Sequence, residues 1–131
     1  MKELKSIVRY GTVSAVYPDR ATVRVVFSDR ENMVSAELAV LMPACYQSRF
    51  YSLPRVGDNV VALMFPNGDD GAGCVLGSFY SEKNKPPAAS EDIVMMNIAD
   101  KLVISFDQRT QELKIDCKGD IKIQGKRVYI N

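Results

Sequence analysis

The sequence predicts an all-β chain: a small closed barrel in the N-terminal part, then a shorter β-module that other copies of the chain complete. Three observations lead there. Apolar residues recur with a period of two almost throughout, as in Val23, Val25 and Phe27 or in Ile121 and Ile123. Turn-forming Gly, Pro, Asn and Asp break that pattern at strand-length intervals. The segment Lys83–Ser90 (KNKPPAAS) separates two stretches of different character, and its two prolines cannot continue a sheet.

Within the first stretch, Ser6–Val16 reads as a long strand and Pro18-Asp19 as a turn. Ala21–Ser28 (ATVRVVFS) is a second strand with Val23, Val25 and Phe27 on one face, and Ser35–Leu41 is a third. A loop rich in proline and aromatics spans Pro43 to Pro54, where Ala44–Arg49 is the one place a helical turn could form. Asn59–Phe65 (NVVALMF) is the fourth strand and Gly73–Tyr80 (GCVLGSFY) the fifth. Pro66–Gly71 supplies dense turn chemistry for the hairpin between them. Five short strands with the longest connection between the third and fourth match the strand count of an OB-type barrel. The expected domains are the barrel over 1–82, a linker over 83–92 and a second module over 93–131.

In that second module Leu102, Ile104 and Phe106 alternate with Val103 and Ser105. Leu113, Ile115 and Cys117 alternate with Lys114, Asp116 and Lys118, Ile121 and Ile123 with Lys122 and Gln124, and Val128 and Ile130 with Tyr129. Turns at Asp107–Thr110, Lys118-Gly119 and Gly125-Lys126 would make this a four-strand meander with one apolar face. Such a face has to be covered. It could lie on the barrel, but the Pro-Pro linker and the regular repetition favour copies of itself. Three chains would then build a prism with Leu102, Ile104, Phe106, Leu113, Ile115, Cys117, Ile121, Ile123, Val128 and Ile130 as the trimer core.

Composition narrows the functions. An apolar fraction of 47% against 25% charged residues is a folded-protein balance. The net charge is +1, and residues 1–80 carry eight basic and eight acidic side chains, so no strong pull toward nucleic acid or anionic lipid is expected. Single-stranded nucleic-acid binding, the main alternative for an OB barrel, needs a basic groove beside its stacking aromatics. Cys45, Cys74 and Cys117 are odd in number and far apart, which fits assembly in a reducing cytoplasm rather than a disulfide framework. No stretch approaches the ~20 apolar residues of a membrane-spanning helix, and the N-terminal residues do not read as a signal peptide. With no histidine, near-neutral acid–base chemistry has no obvious group. No enzymatic activity, cofactor or metal is expected. Gly71, Gly73 and Gly77 enter a strand rather than open a helix, so they read as turn and bulge positions and not as a phosphate cradle. Asp69-Asp70 reads as a solvated hairpin tip, short of the oxygen ligands that Ca²⁺ requires.

Three stretches carry a family resemblance over residues 7–87. They are Gly11–Val16 running into Ala21–Phe27, then Pro54-Arg55-Val56-Gly57-Asp58 continuing to Phe65, and Gly73–Ser81 followed by Pro86-Pro87. In order and spacing the chain resembles the baseplate assembly protein V and spike family of contractile phage tails, and the corresponding domain of the valine-glycine repeat protein G of type VI secretion. The resemblance implies an OB-fold domain, a homotrimer, a C-terminal triple-stranded β-helix or prism, and a place at the end of the tail tube. From there the spike is driven through a target cell envelope. It leaves open whether the machine is a phage, a tailocin or another injection system.

The chain departs from long spikes in two ways: its C-terminal module is brief, and it has no histidine for the metal site at the apex of some members. Four strands about 4.8 Å apart would stack to only ~20 Å, less than a bilayer. A separate spike-tip protein is therefore expected on a platform formed by Arg127, Tyr129 and Asn131 of a last strand. The hub or tube protein is expected to meet Met1–Ile7 and the loop residues Tyr46, Arg49, Phe50 and Tyr51, whose composition is interface-like. The other reading of those aromatics is that they close the open end of the barrel.

Overall fold

The computed structural model describes residues 7–65 and 72–131. The chain divides into two compact units, Met1–Lys85 and Pro86–Asn131. The first contains strands β1 (Val8–Tyr17), β2 (Thr22–Phe27), β3 (Met33–Val34), β4 (Leu38–Val40), β5 (Asn59–Met64) and β6 (Gly73–Ser78). The second contains β7 (Ile93–Ile98), β8 (Leu102–Asp107) and β9 (Glu112–Cys117). The chain is all-β.

Five strands close into a barrel in the order β1-β5-β6-β4-β2, with β2 returning to β1. Neighbours are antiparallel except β4 and β6, which run parallel. This is an OB-like arrangement, in which closure removes the sheet edges. Alternation decides the core. Val23, Val25 and Phe27 of β2 point inward, as do Val60, Ala62 and Met64 of β5, and they meet Val13, Leu38 and Val75.

Two bulges bend the ladder, one at Ser14 between the Val13 and Ala15 pairings and one on β6 opposite Val61 and Ala62. Two glycines let strands cross closely. A Cβ on Gly11 would strike Val25 and lie 2.7 Å from the Val26 carbonyl oxygen, and one on Gly73 would strike the Leu63 carbonyl.

Several sequence expectations change in detail. The third strand, expected as Ser35–Leu41, is shorter, Leu38–Val40 (β4), and follows an unexpected two-residue strand, Met33–Val34 (β3), after an interruption; both lie along the edge of β2 that faces away from β1. The interruption centres on Ser35, which is buried. Its N–H donates to the Val25 carbonyl at 2.8 Å, and its Oγ accepts from the Val25 N–H at 3.0 Å while donating to the Ala36 carbonyl. A side chain thus replaces a main-chain acceptor where the strand breaks. The helical turn lies at Ser28–Arg30, a 3₁₀ turn closed by left-handed Glu31 and Asn32. At Ala44–Arg49 the chain forms a tight loop instead, with a Cys45–Arg49 bridge and a Phe50 N–H bond to the Ala44 carbonyl. The expected Pro66–Gly71 turn, with Asp69 and Asp70, lies outside the described residues, as do Met1–Ser6 of the expected hub contact.

The second unit is a meander, β7-β8-β9, fully antiparallel. The first turn places Ala99 and Asp100 in the left-handed region. Asn97 caps that turn by accepting from the Asp100 N–H at 2.9 Å. Asp107 caps the second turn by accepting from the N–H groups of Arg109 and Thr110.

The four-strand expectation for this unit needs two corrections. Ile93–Ile98 is a strand. Its sequence, IVMMNI, is apolar at both parities, so no alternation announces it. Conversely, Ile121–Ile123 and Val128–Ile130, which alternate well, join no ladder within the chain. After Lys118 donates to the Lys101 carbonyl, residues 119–131 make no backbone-to-backbone hydrogen bond with any described residue, although the Asp120 carbonyl accepts from Cys117 Sγ at 3.8 Å.

Candidate assembly interface

The register of the second unit builds its main feature. In β8 and β9 the opposed pairs are Leu102 with Cys117, Ile104 with Ile115 and Phe106 with Leu113. In β7 and β8 they are Ile98 with Leu102, Met96 with Ile104 and Val94 with Phe106. Directly opposed residues share a face. One face of the sheet is therefore a three-by-three field of apolar side chains. The other face carries Asn97, Asp107, Ser105, Glu112, Lys114 and Asp116 beside Ile93, Met95 and Val103.

None of the nine apolar residues is buried by its own chain: Leu113 is 63% exposed, Val94 60% and Ile115 54%. Fully burying one such side chain is worth about 1.5–3 kcal/mol, so the field holds a large unspent driving force. It is a contiguous apolar patch of the kind that marks an interaction surface.

Six of the residues expected in a trimer core, Leu102, Ile104, Phe106, Leu113, Ile115 and Cys117, are thus brought together. Val94, Met96 and Ile98 complete the field, and sequence reasoning missed them. Their spacing of two was the available signal, masked by the apolar Ile93 before them and Met95 between them. The other four expected core residues, Ile121, Ile123, Val128 and Ile130, are not gathered into a face within the chain. They lie on the unpaired segment, with Ile130 92% exposed. Arg127, Tyr129 and Asn131, expected as a platform on a last strand, are exposed on the same segment and belong to no strand of this chain.

The expected hub residues lie on the tight loop of the barrel unit. Tyr46, Phe50 and Tyr51 are all exposed, so none is inserted into the barrel as a plug. Arg49 Nε donates to the Tyr46 carbonyl, which holds the loop closed, and Tyr51 Oη donates to the Pro18 carbonyl at 3.1 Å. Tyr51 borders an open cleft of about 640 Å³ with Pro18, Leu53, Pro54 and Val56.

Beside it, Arg20 donates to Glu37 at 2.6 Å and pairs with Asp19 at 3.2 Å, and its guanidinium stacks 4.9 Å from the Tyr17 ring centre. The hydrogen bond to Glu37 raises the Arg20 pKa, and the same bond is the main reason the Glu37 carboxyl titrates below its ordinary value. These contacts brace the β1–β2 turn against β4.

Among the described residues, no group of three or more His, Cys, Asp or Glu side chains is placed to hold a metal ion. Cys45 is exposed, while Cys74 and Cys117 are half-buried, and all three are free thiols. No protein-family model matches the sequence, and no curated protein matches it.

Proposed function

We propose that this chain is the collar and shaft of the puncturing spike of a contractile, phage-tail-like injection machine. It would assemble as a homotrimer and act mechanically rather than catalytically. The observation that carries this reading is the second unit's nine-residue apolar field, uncovered by its own chain and continued by a segment that has apolar alternation but no backbone-to-backbone partner among the described residues. An alternating apolar segment with free N–H and C=O groups is an open template for another chain. Copies of the same module meet both needs at once. Three of them would put the field and the side chains of Ile121, Ile123, Val128 and Ile130 inside a column, with Lys and Asp outside. Interchain hydrogen bonds and a dry core would then resist axial load.

In this reading the barrels form the collar, and the exposed loop carrying Tyr46, Arg49, Phe50 and Tyr51 meets the tail hub or tube protein. Arg127, Tyr129 and Asn131 end the column, where a separate tip protein docks before the envelope is pierced. Assembly takes place in the bacterial cytoplasm, without nucleic acid as a partner. Multi-angle light scattering tests the central step: the expected particle has three times the 14.6 kDa chain mass, and a monomer at micromolar concentration overturns the proposal.

A further inference from the structure

The free edge of β9 bears a second pattern. From 112 to 122 every even position is charged and the sign alternates: Glu112, Lys114, Asp116, Lys118, Asp120, Lys122. Within β9 this row lies on the face opposite the apolar field. Its cross-strand neighbours in β8 are Asp107, Ser105 and Val103, none of which neutralises it. All six charged side chains are exposed, and among the described residues none makes an ion pair. β9 is paired with β8 on one side and ends the sheet on the other.

An apolar face determines strand register only in part. A slip of one residue turns the face outward, whereas a slip of two residues leaves it inside. Nine positions that are all apolar therefore discriminate poorly between neighbouring even registers. The alternating row supplies the missing discrimination. A two-residue slip of one such row against another turns every opposite-sign neighbour into a like-sign one, and like charges directly opposed on a sheet are destabilising where opposite charges stabilise.

We propose that the row is a register lock between copies of this chain. Resting on the assembly proposed above, it places residues 118–122 of a second copy along the free edge of β9, with Glu112, Lys114 and Asp116 facing charges of opposite sign. Charge complementarity identifies the occupant: the row is complementary to itself at alternate registers, and the 118–122 segment is the part of it that joins no strand in its own chain.

Half-inversion and full inversion of the row in the full-length protein test this. Glu112→Lys, Lys114→Glu and Asp116→Lys together should weaken association on the order of tenfold or more at low salt. The loss should be relieved in about 1 M NaCl, where the screening length is ~3 Å. Adding Lys118→Glu, Asp120→Lys and Lys122→Glu inverts the whole row and should restore association at low salt. Mass by light scattering reads all three proteins. A half-inverted protein that assembles like the wild type overturns the lock and leaves the trimer standing, as does a full inversion that fails to restore assembly. A monomeric wild type overturns both proposals together.

Discussion

At the scale of single residues, the barrel depends on a few side chains that do main-chain work. Ser35 is the clearest. Its Oγ is the acceptor for the Val25 N–H in a fully buried part of β2, and an unpaired buried donor costs about 1–3 kcal/mol. Ser35→Ala should therefore lower the unfolding free energy by that amount in urea titrations. Ser14→Ala removes only an exposed hydroxyl bond to the Arg24 carbonyl and should change stability by less than about 0.5 kcal/mol.

The Arg20–Glu37 pair gives a pH signature. The Glu37 pKa is lowered in the folded state relative to 4.5, chiefly by the hydrogen bond from Arg20. A depressed folded value means that the carboxylate stabilises the fold fully above its unfolded pKa and ceases to do so as pH falls through the folded one. The urea midpoint of the wild type should consequently fall more steeply than that of Glu37→Gln as pH drops below 4.5. The Arg20 pKa is raised, far above that window, and adds no slope in it.

At the scale of elements, close strand crossing and strand legibility matter most. A Cβ added to Gly73, at the start of β6, would strike the Leu63 carbonyl and lie 3.0 Å from the Met64 Cα, whereas a Cβ at Gly77 would meet nothing within 4 Å. Gly73→Ala forces backbone to move and should cost about 1–3 kcal/mol. Gly77→Ala should be neutral or should stabilise by about 0.4–1 kcal/mol through the unfolded state. Paired thermal melts compare the two.

The barrel strands were legible because each buries one face, so Val23, Val25 and Phe27 had to alternate with polar or outward neighbours. The Ser35 interruption was not legible, because a serine among strand residues gives no sign that its hydroxyl substitutes for a carbonyl. In the second unit β7 stayed hidden for the opposite reason: Ile93 and Met95 are as apolar as Val94 and Met96, so a two-residue period has no contrast.

At the scale of the whole molecule, the barrel buries its own core while the second unit exposes the side most suited to burial. That division makes a selective disruption possible. Ile104 and Ile115 are opposed at the centre of the apolar field and substantially exposed in the single chain. Ile104→Asp or Ile115→Asp should therefore leave the barrel's urea unfolding unchanged within about 0.5 kcal/mol. The same change should abolish higher-order assembly, because a carboxylate buried against apolar side chains is strongly disfavoured. Sedimentation velocity together with barrel unfolding checks both halves, and a trimer that tolerates Ile104→Asp would move the interface elsewhere.

The sequence by itself determined the all-β class, the barrel strands and the parity of most apolar positions. Those follow from local rules, a two-residue period and the backbone limits of Gly and Pro, that need no distant partner. The tertiary structure decided what depends on pairing across the chain. It closed β2 onto β1, shortened the third strand to Leu38–Val40 with Ser35 separating it from Met33–Val34, and added Val94, Met96 and Ile98 to the apolar field through their register with β8. It also left Ile121, Ile123, Val128 and Ile130 without a strand partner. Alternation records which side of a strand is apolar. Which strand lies beside it is a matter of hydrogen-bond register, and for residues 119–131 that register is not supplied within one chain.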